Sequence, residues 1–284
     1  MIRNDFEATE TSERKLLSLR KVLSSLESIC VAYSGGVDST FLLKVSKDVL
    51  GEDVLAVTAT SPTYPRRELN EAIEAAKKIG VRHLLLASNE LDIPGFAENT
   101  SSRCYYCKHD LFGKLKVEAK RHGIKNVVDG ANYDDTKDYR PGRKAAEELG
   151  VRSPLCEVQL TKNEIRYLSK ELGLSTWNKP SLACLSSRIP YNEKITEEKL
   201  KQVEKAEGIL RSFGFTQFRV RHHSEIARIE FIPEEMSLLN APEMQLAIDS
   251  ALKSVGFKYV TVDLKGYRSG SMNEVLETHE RKES

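Results

Sequence analysis

The chain has 284 residues, 40% hydrophobic and 30% charged, with a formal net charge of +1. That length supports one large or two modest domains with real cores. A balance so near zero excludes a global field that would draw the chain to nucleic acid or a membrane.

The first half reads as alternating strands and helices. Residues 28–33, SICVAY, are a short apolar strand. A helix follows over 37–50, with Phe41, Leu42, Val45 and Val49 spaced for one buried face. The pattern continues as a strand over 54–60, a helix over 65–80 opened by proline and closed by glycine, and a strand over 82–88. Beyond a polar loop come a helix over 104–123 and a fourth strand over 126–132. The expected fold class is α/β, a mostly parallel sheet covered by helices on both faces. Thr161 and Glu164 then form a capping box that opens a helix over 161–173. A turn-rich stretch over 175–194 leads to a helix (196–213), two strands (218–223 and 227–232), a helix (about 243–255) and a last strand (258–264). This second pattern predicts a small α+β domain. The boundary is placed near Pro190, giving domains 1–189 and 190–284.

The first thirty residues lack the apolar core of a secretory signal, and no apolar run is long enough to span a bilayer. A cytoplasmic location without membrane partners is expected. Five cysteines, an odd number, favour reduced thiols over a disulfide framework.

SGGVDS, residues 34–39, follows a predicted strand and opens a helix. Its glycines let backbone amides approach an anion, and the helix N-terminus adds a favourable dipole. Such a nest suits pyrophosphate. Ser34, Gly35, Gly36, Val37 and Ser39 would hold phosphate through amides and hydroxyls. Asp38 cannot pair with phosphate directly and suits a Mg²⁺ that bridges phosphates; its plainer role is helix capping. Ala32 and Thr58, near the C-terminal ends of the first two strands, lie where an open α/β sheet puts its ligand, and Gly130 and Asn132 would flank the same crevice.

Cys104 and Cys107 form a CxxC pair in RCYYCK. By spacing alone it is half of a zinc or iron–sulfur site, or a redox pair. Cys184, in KPSLACLSSRIPY, is the third candidate, with Arg188 near enough in sequence to favour its thiolate. Cys30 and Cys156 better fit small buried apolar residues. Three thiolates can hold a [4Fe–4S] cluster and leave one iron open to a sulfur species.

The loop resembles that of the PP-loop, or N-type, ATP pyrophosphatases, which cleave ATP between the α and β phosphates. Further blocks narrow the likeness: TSPTYPRRE (60–68), RCYYCK (103–108), DGANYDDTKDYRPGRKAAEELGVRSPL (129–155), KPSLACLSSRIPY (179–191), FRVRHH (218–223), ARIEF (227–231) and GYRSGSMNE (266–274). Together they resemble the LarE family, the sulfur-insertion enzymes of nickel-pincer nucleotide biosynthesis. The resemblance implies that ATP adenylates a pyridinium carboxylate, and that sulfur then displaces AMP to leave a thiocarboxylate. One kind of the family sacrifices the cysteine matching Cys184. Another has all three cysteines and resembles cluster-using thiolation enzymes, and this sequence matches the second pattern. Catalytic roles therefore fall to Cys104, Cys107 and Cys184, as ligands of a [4Fe–4S] cluster, with ATP and Mg²⁺ as the other cofactors. Ser187, Arg188, Arg219 and Arg221 resemble the family's substrate-phosphate site. Glu230 would bind metal or orient substrate, or else make a surface salt bridge. The family likeness also implies a homo-oligomer, trimer-based and hexameric, fed by sulfide or a sulfur-donor protein. Asp134 and Asp135 read either as a metal site or as a solvated turn, and Tyr105 and Tyr106 as a shield for a cluster or as ordinary packing.

Rival readings follow from the same loop. A tRNA thiolase needs a broad basic surface, against which the near-neutral charge counts. An ammonia-using ligase would give the cysteines no task, and a nonenzymatic nucleotide-binding or zinc-binding module would release no pyrophosphate.

Overall fold

A computed structural model describes residues 2–137, 141–181, 183–268 and 270–276. Asp138, Tyr139, Arg140, Leu182 and Ser269, which belong to the sequence blocks above, lie outside the described residues. The chain divides into two compact units. The first comprises Met1–Ser61, Arg66–Ser88 and Cys104–Leu182; the second comprises Pro62–Pro65, Asn89–Arg103 and Ala183–Ser284.

The first unit is built from α1 (Ile2–Ser25), β1 (Ile29–Ala32), α2 (Val37–Leu50), β2 (Val54–Thr60), α3 (Arg66–Ile79), β3 (Arg82–Ala87), α4 (Arg103–Arg121), β4 (Asn126–Val128), α5 (Gly142–Glu148), α6 (Pro154–Glu157) and α7 (Lys162–Glu171), the first residue of α4 falling in the second unit. Its four strands are all parallel, in the order β3-β2-β1-β4. Alternate residues of a strand face opposite sides, and each side has its own core. Ile29, Val31, Val54 and Ala56 meet Leu19, Phe41, Ala72 and Ile165 on one face. Cys30, Leu55 and Val57 meet Phe112, Leu115, Ala119 and Ala146 on the other. The order reverses at β1, since β2 and β3 extend one way and β4 adds on the other side. Ligands of open α/β sheets bind at such a reversal, beyond the strands' C-terminal ends.

Helix α1 is an addition to the expected elements. Strand β4 is shorter than expected: it ends at Val128, so Gly130 and Asn132 lie in the loop beyond it. The capping box at Thr161 is present, with Thr161 Nα–H donating to Glu164 Oε2 at 2.8 Å and Thr161 Oγ1 accepting from the Glu164 amide. Lys15 adds an ion pair to the same glutamate at 2.8 Å.

The second unit contains α8 (Glu197–Ser212), β5 (Phe218–His223), β6 (Ile226–Phe231), α9 (Pro233–Met236), α10 (Pro242–Ser254) and β7 (Tyr259–Val262). β5 and β6 pair antiparallel, whereas β6 and β7 pair parallel. One face of this sheet is apolar. Phe218, Val220, Ile229 and Phe231 pack there with Ala206, Leu210, Ile248 and Leu252 from α8 and α10. The opposite face carries Arg219, Arg221 and Glu230, all buried as well. The sequence reading puts the domain boundary near 190, while the second unit resumes at Ala183 and takes in two earlier segments.

Candidate functional site

In the first unit the turn after β1 packs against α3. Gly35 has φ +63°, in the left-handed region, and a Cβ there would lie 2.6 Å from Ala72 Cβ. Ser34 Oγ and Ser39 Oγ are 3.1 Å apart, and Ser39 Oγ donates to the Gly36 carbonyl at 3.3 Å. A Cβ on Gly130 would lie 3.0 Å from the Ser39 amide nitrogen, so the loop after β4 runs against the first turn of α2. The structure thus brings Ser34, Gly35, Gly36, Val37, Asp38, Ser39 and Gly130 together at the reversal of strand order. Ala32 ends β1. Thr58 is buried in β2, where its Oγ1 donates to the Tyr33 carbonyl at 2.7 Å and lies 2.8 Å from His83 Nε2.

Asp38 sits in the first turn of α2. Its Oδ2 accepts from Lys162 Nζ at 2.5 Å, while Oδ1 is buried with no hydrogen-bond partner among the described residues. Burial pushes the Asp38 carboxyl above its usual range, although Lys162 pulls the other way. A carboxylate with one orphaned, buried oxygen beside a glycine turn fits a divalent cation. The glycine turn at the N-terminus of α2 likewise fits a polyphosphate, because a Cβ on Gly36 would meet nothing nearer than Ser34 Oγ at 3.5 Å and the backbone there admits close approach. The acidic pair beyond β4 is engaged by backbone: Asp134 Oδ2 accepts from the Lys162 amide at 2.8 Å, and Asp135 Oδ2 from the Asn132 amide at 3.1 Å.

Cys104 and Cys107 lie near the N-terminus of α4, three residues apart and so on neighbouring positions of the helix surface. Cys104 is exposed and Cys107 half-buried. Cys184, also half-buried, immediately precedes a short 3-10 turn, Leu185–Arg188, in the second unit. No disulfide joins the five cysteines. These three thiols suit a thiophilic metal in their donor chemistry. Among the described residues no group of three or more His, Cys, Asp or Glu side chains is gathered to hold a metal ion. Cys30 is fully buried, and burial, then Glu118, push its thiol up to about 12. Burial also raises the Cys156 thiol. The Tyr105 hydroxyl donates to Glu148 at 2.7 Å, and its ring meets Tyr106 edge-on at 5.7 Å.

The charged face of the second unit is a connected network. Arg221 donates from Nη1 to the Ser187 carbonyl at 2.9 Å, and from Nη2 to Glu230 at 2.6 Å and Ser271 Oγ at 2.8 Å. Its Nε is buried with no hydrogen-bond partner among the described residues. Glu230, 0% exposed, also accepts from Ser271 Oγ at 2.9 Å and pairs with Arg228 at 3.3 Å. It is therefore a buried member of the network rather than a surface pair. Arg188 is 1% exposed and forks onto Glu207 at 2.8 and 3.1 Å. Its Nη1 reaches the Ala183 and Cys184 carbonyls and Ser187 Oγ at 2.7–3.0 Å. Arg219 lies with its guanidinium 5.1 Å from the Tyr267 ring centre and donates to the Phe218 carbonyl at 2.7 Å. Burial and the neighbouring Arg188 lower it to about 10. Crowded, desolvated arginines of this kind are suited to an anion.

Sequence reasoning missed Glu207, Lys162, Lys179, Ser271 and Tyr267. Glu207 was detectable: it interrupts the apolar stripe of Leu200, Val203 and Leu210 on α8, where a carboxylate demands a buried partner.

No family model matches the chain. It is 46% identical over 264 residues to an uncharacterised protein of Synechocystis, covering 93% of this chain and 98% of that protein. It is 40% identical over 267 residues to the pyridinium-3,5-bisthiocarboxylic acid mononucleotide synthase of Lactiplantibacillus plantarum, covering 94% and 96% of the two. The chain belongs to the LarE family. Membership makes this LarE-family chain an enzyme. The LarE-family chain is also 25% identical, over 205 residues, to the GMP synthase of Aeropyrum pernix, a match spanning 63% of this chain and 38% of that protein. The LarE-family fold is α/β, of the PP-loop ATP pyrophosphatase type. No helix among the described residues is long and apolar enough to cross a membrane.

Proposed function

We propose that this protein inserts sulfur into the carboxylates of pyridinium-3,5-biscarboxylic acid mononucleotide at the expense of ATP. The observation that carries the reading is near full-length likeness to a synthase of the bisthiocarboxylic acid mononucleotide, supported by a glycine turn after β1 that lies beside Asp38. A carboxylate oxygen of the substrate attacks the α-phosphorus of ATP, and the bond to the bridging oxygen breaks to release pyrophosphate. The resulting acyl adenylate has AMP as a good leaving group. A sulfur nucleophile then adds to the acyl carbon and AMP departs. Two carboxylates require two such cycles.

The residues divide the labour. Ser34, Gly35, Gly36, Val37 and Ser39 hold the leaving phosphates, and Gly130 keeps the neighbouring loop close. Ala32 and Thr58 line the nucleotide side of the crevice. Asp38 holds Mg²⁺, which neutralises phosphate charge when bound. Ser187, Arg188, Arg219 and Arg221 recognise the substrate's phosphate, with Glu230 orienting Arg221. Cys104, Cys107 and Cys184 are the donor set for a [4Fe–4S] cluster, which when bound supplies an iron open to a sulfur species. Sulfide or a sulfur-donor protein restores that sulfur. The enzyme works in the cytoplasm as a homo-oligomer built on trimers.

The alternative sulfur source is Cys184 itself, left as dehydroalanine. Mass spectrometry of the protein after turnover with ATP, substrate and sulfide separates the two. The cluster reading expects an unchanged chain mass and several products per chain. Loss of one sulfur from Cys184 overturns it in favour of sacrifice. Absence of pyrophosphate release with this substrate overturns the adenylation reading as well. Anaerobic iron reconstitution gives a second check, since undiminished iron uptake by all three single Cys→Ala variants removes the cluster assignment.

A further inference from the structure

We propose that Lys179 is a positioning residue of the phosphate loop, acting through the peptide that joins Gly35 to Gly36. Its ammonium donates to the Gly35 carbonyl at 3.2 Å and pairs with Glu68 at 2.6 Å and Glu71 at 2.8 Å. The ammonium thus donates to the Gly35 carbonyl while two carboxylates flank it, Glu68 Oε2 by charge alone, with no hydrogen bond to that oxygen among the described residues. Lys179 arrives from a segment well beyond the sheet, and its side chain is only 13% exposed.

The anchor is built by one face of α3. Glu68, Glu71 and Ala72 are spaced three and four residues apart and lie on the same side of that helix. Ala72 fills the space that a side chain on Gly35 would need. The two glutamates fix Lys179 above the same glycine. Gly35 is thus gripped at its α-carbon by packing and at its carbonyl by a cation.

The consequence follows from peptide geometry. In a planar trans peptide the C=O and the following N–H point to opposite sides. Holding the Gly35 carbonyl on Lys179 therefore sets the direction of the Gly36 N–H. The next carbonyl, of Gly36, is held by α2 itself, accepting from the Thr40 amide at 3.0 Å. Lys179 secures the peptide just before the point where the helix takes over. Its charge also polarises that peptide in the sense that strengthens the Gly36 N–H as a donor.

Local charge argues against a direct phosphate contact. Arg67 donates to Glu71 at 2.7 Å, so two cations meet two carboxylates and no positive charge is left over. Burial pushes the Glu71 carboxyl up, but the hydrogen bonds from Lys179 and Arg67 outweigh it and leave it below its ordinary value.

This inference rests on the reading that the loop receives the phosphates of ATP. It is tested by calorimetric titration of the full chain with inorganic pyrophosphate and, separately, with adenosine. Lys179→Met should weaken pyrophosphate binding about tenfold, the loss of one well-aimed hydrogen bond, and leave adenosine binding unchanged. Lys179→Arg, which keeps charge and donor, should recover most of the loss. The double variant E68Q/E71Q loosens the lysine and should also weaken pyrophosphate binding. If freeing Lys179 instead strengthens pyrophosphate binding, the lysine is a phosphate ligand and the positional role is wrong. Normal pyrophosphate binding by Lys179→Met overturns the proposal alone. A wild-type protein that binds no pyrophosphate overturns the loop reading and this proposal with it.

Discussion

Glu207 shows how one residue can hold a charged network inside an apolar element. It sits on the buried side of α8 and accepts both arms of the Arg188 fork. Burial raises its carboxyl, but Arg188 outweighs that and leaves it below its ordinary value of 4.5. A carboxyl depressed on folding contributes stability that is fully present above pH 4.5 and is lost as pH falls through the folded value. Acid unfolding should therefore begin below that pH, and it should begin at higher pH in Arg188→Met. Removing only Arg188 strands a buried carboxylate, which costs roughly 3–5 kcal/mol. Urea denaturation of Arg188→Met checks the figure. Arg188→Met combined with Glu207→Met should recover most of the loss, because replacing both charges by apolar volume is close to neutral. A cost below about 1 kcal/mol for the single variant would mean that the pair is better solvated than its burial implies.

At the level of elements, the loop between β1 and α2 depends on backbone that only glycine adopts cheaply. Gly35→Ala places a side chain at φ +63° and against Ala72. The backbone term alone is about 1–2 kcal/mol, and the contact with Ala72 adds to it. The variant should be less stable in urea and should lose pyrophosphate binding, and Ala72→Gly should restore stability only in part. The capping box of α7 makes a milder prediction. Thr161→Ala removes an acceptor for the Glu164 amide and should cost about 1 kcal/mol in the same measurement. Both features are legible in the amino-acid sequence, as SGGVDS and as Thr161 with Glu164. So are β2, α2 and β5, whose bounds follow from an unbroken period of hydrophobicity. Helix α1 goes unpredicted, although Leu16, Leu19 and Leu23 recur at helical spacing, because its high charge masks the stripe. Pairing across long separations is not legible. Nothing local tells that Lys162 meets Asp38, that Lys179 meets Gly35, or that Ser271 bridges Arg221 and Glu230. Each depends on where the chain returns, and sequence periodicity carries no such information.

Across the whole molecule, the hydrophobic cores of the first unit share no residue with that of the second, which predicts that unfolding need not be a single event. Trp177, the sole tryptophan, lies in the first unit, so its fluorescence reports that unit, whereas circular dichroism reports both. In Arg188→Met the dichroism curve should gain an early phase that fluorescence does not follow. Coincident curves in that variant would show the two units to be one cooperative system. The α/β class and the parallel sheet are legible from strand–helix alternation, and the α+β character of the C-terminal part from the break in that rhythm. The inclusion of Pro62–Pro65 and Asn89–Arg103 in the second unit is not, because neither segment has a pattern of its own to mark its destination.

That interleaving has a bearing on how the polypeptide is made. A ribosome releases Pro62–Pro65 and Asn89–Arg103 long before it reaches Ala183. The nascent chain must carry both stretches in waiting, with Asn99 wet until translation supplies the Ile189, Pro190 and Glu193 carbonyls to which it donates. Closure around Asn99 is thus deferred until Ile189, Pro190 and Glu193 are made, and a product stalled before them would be a natural client for chaperones and proteases.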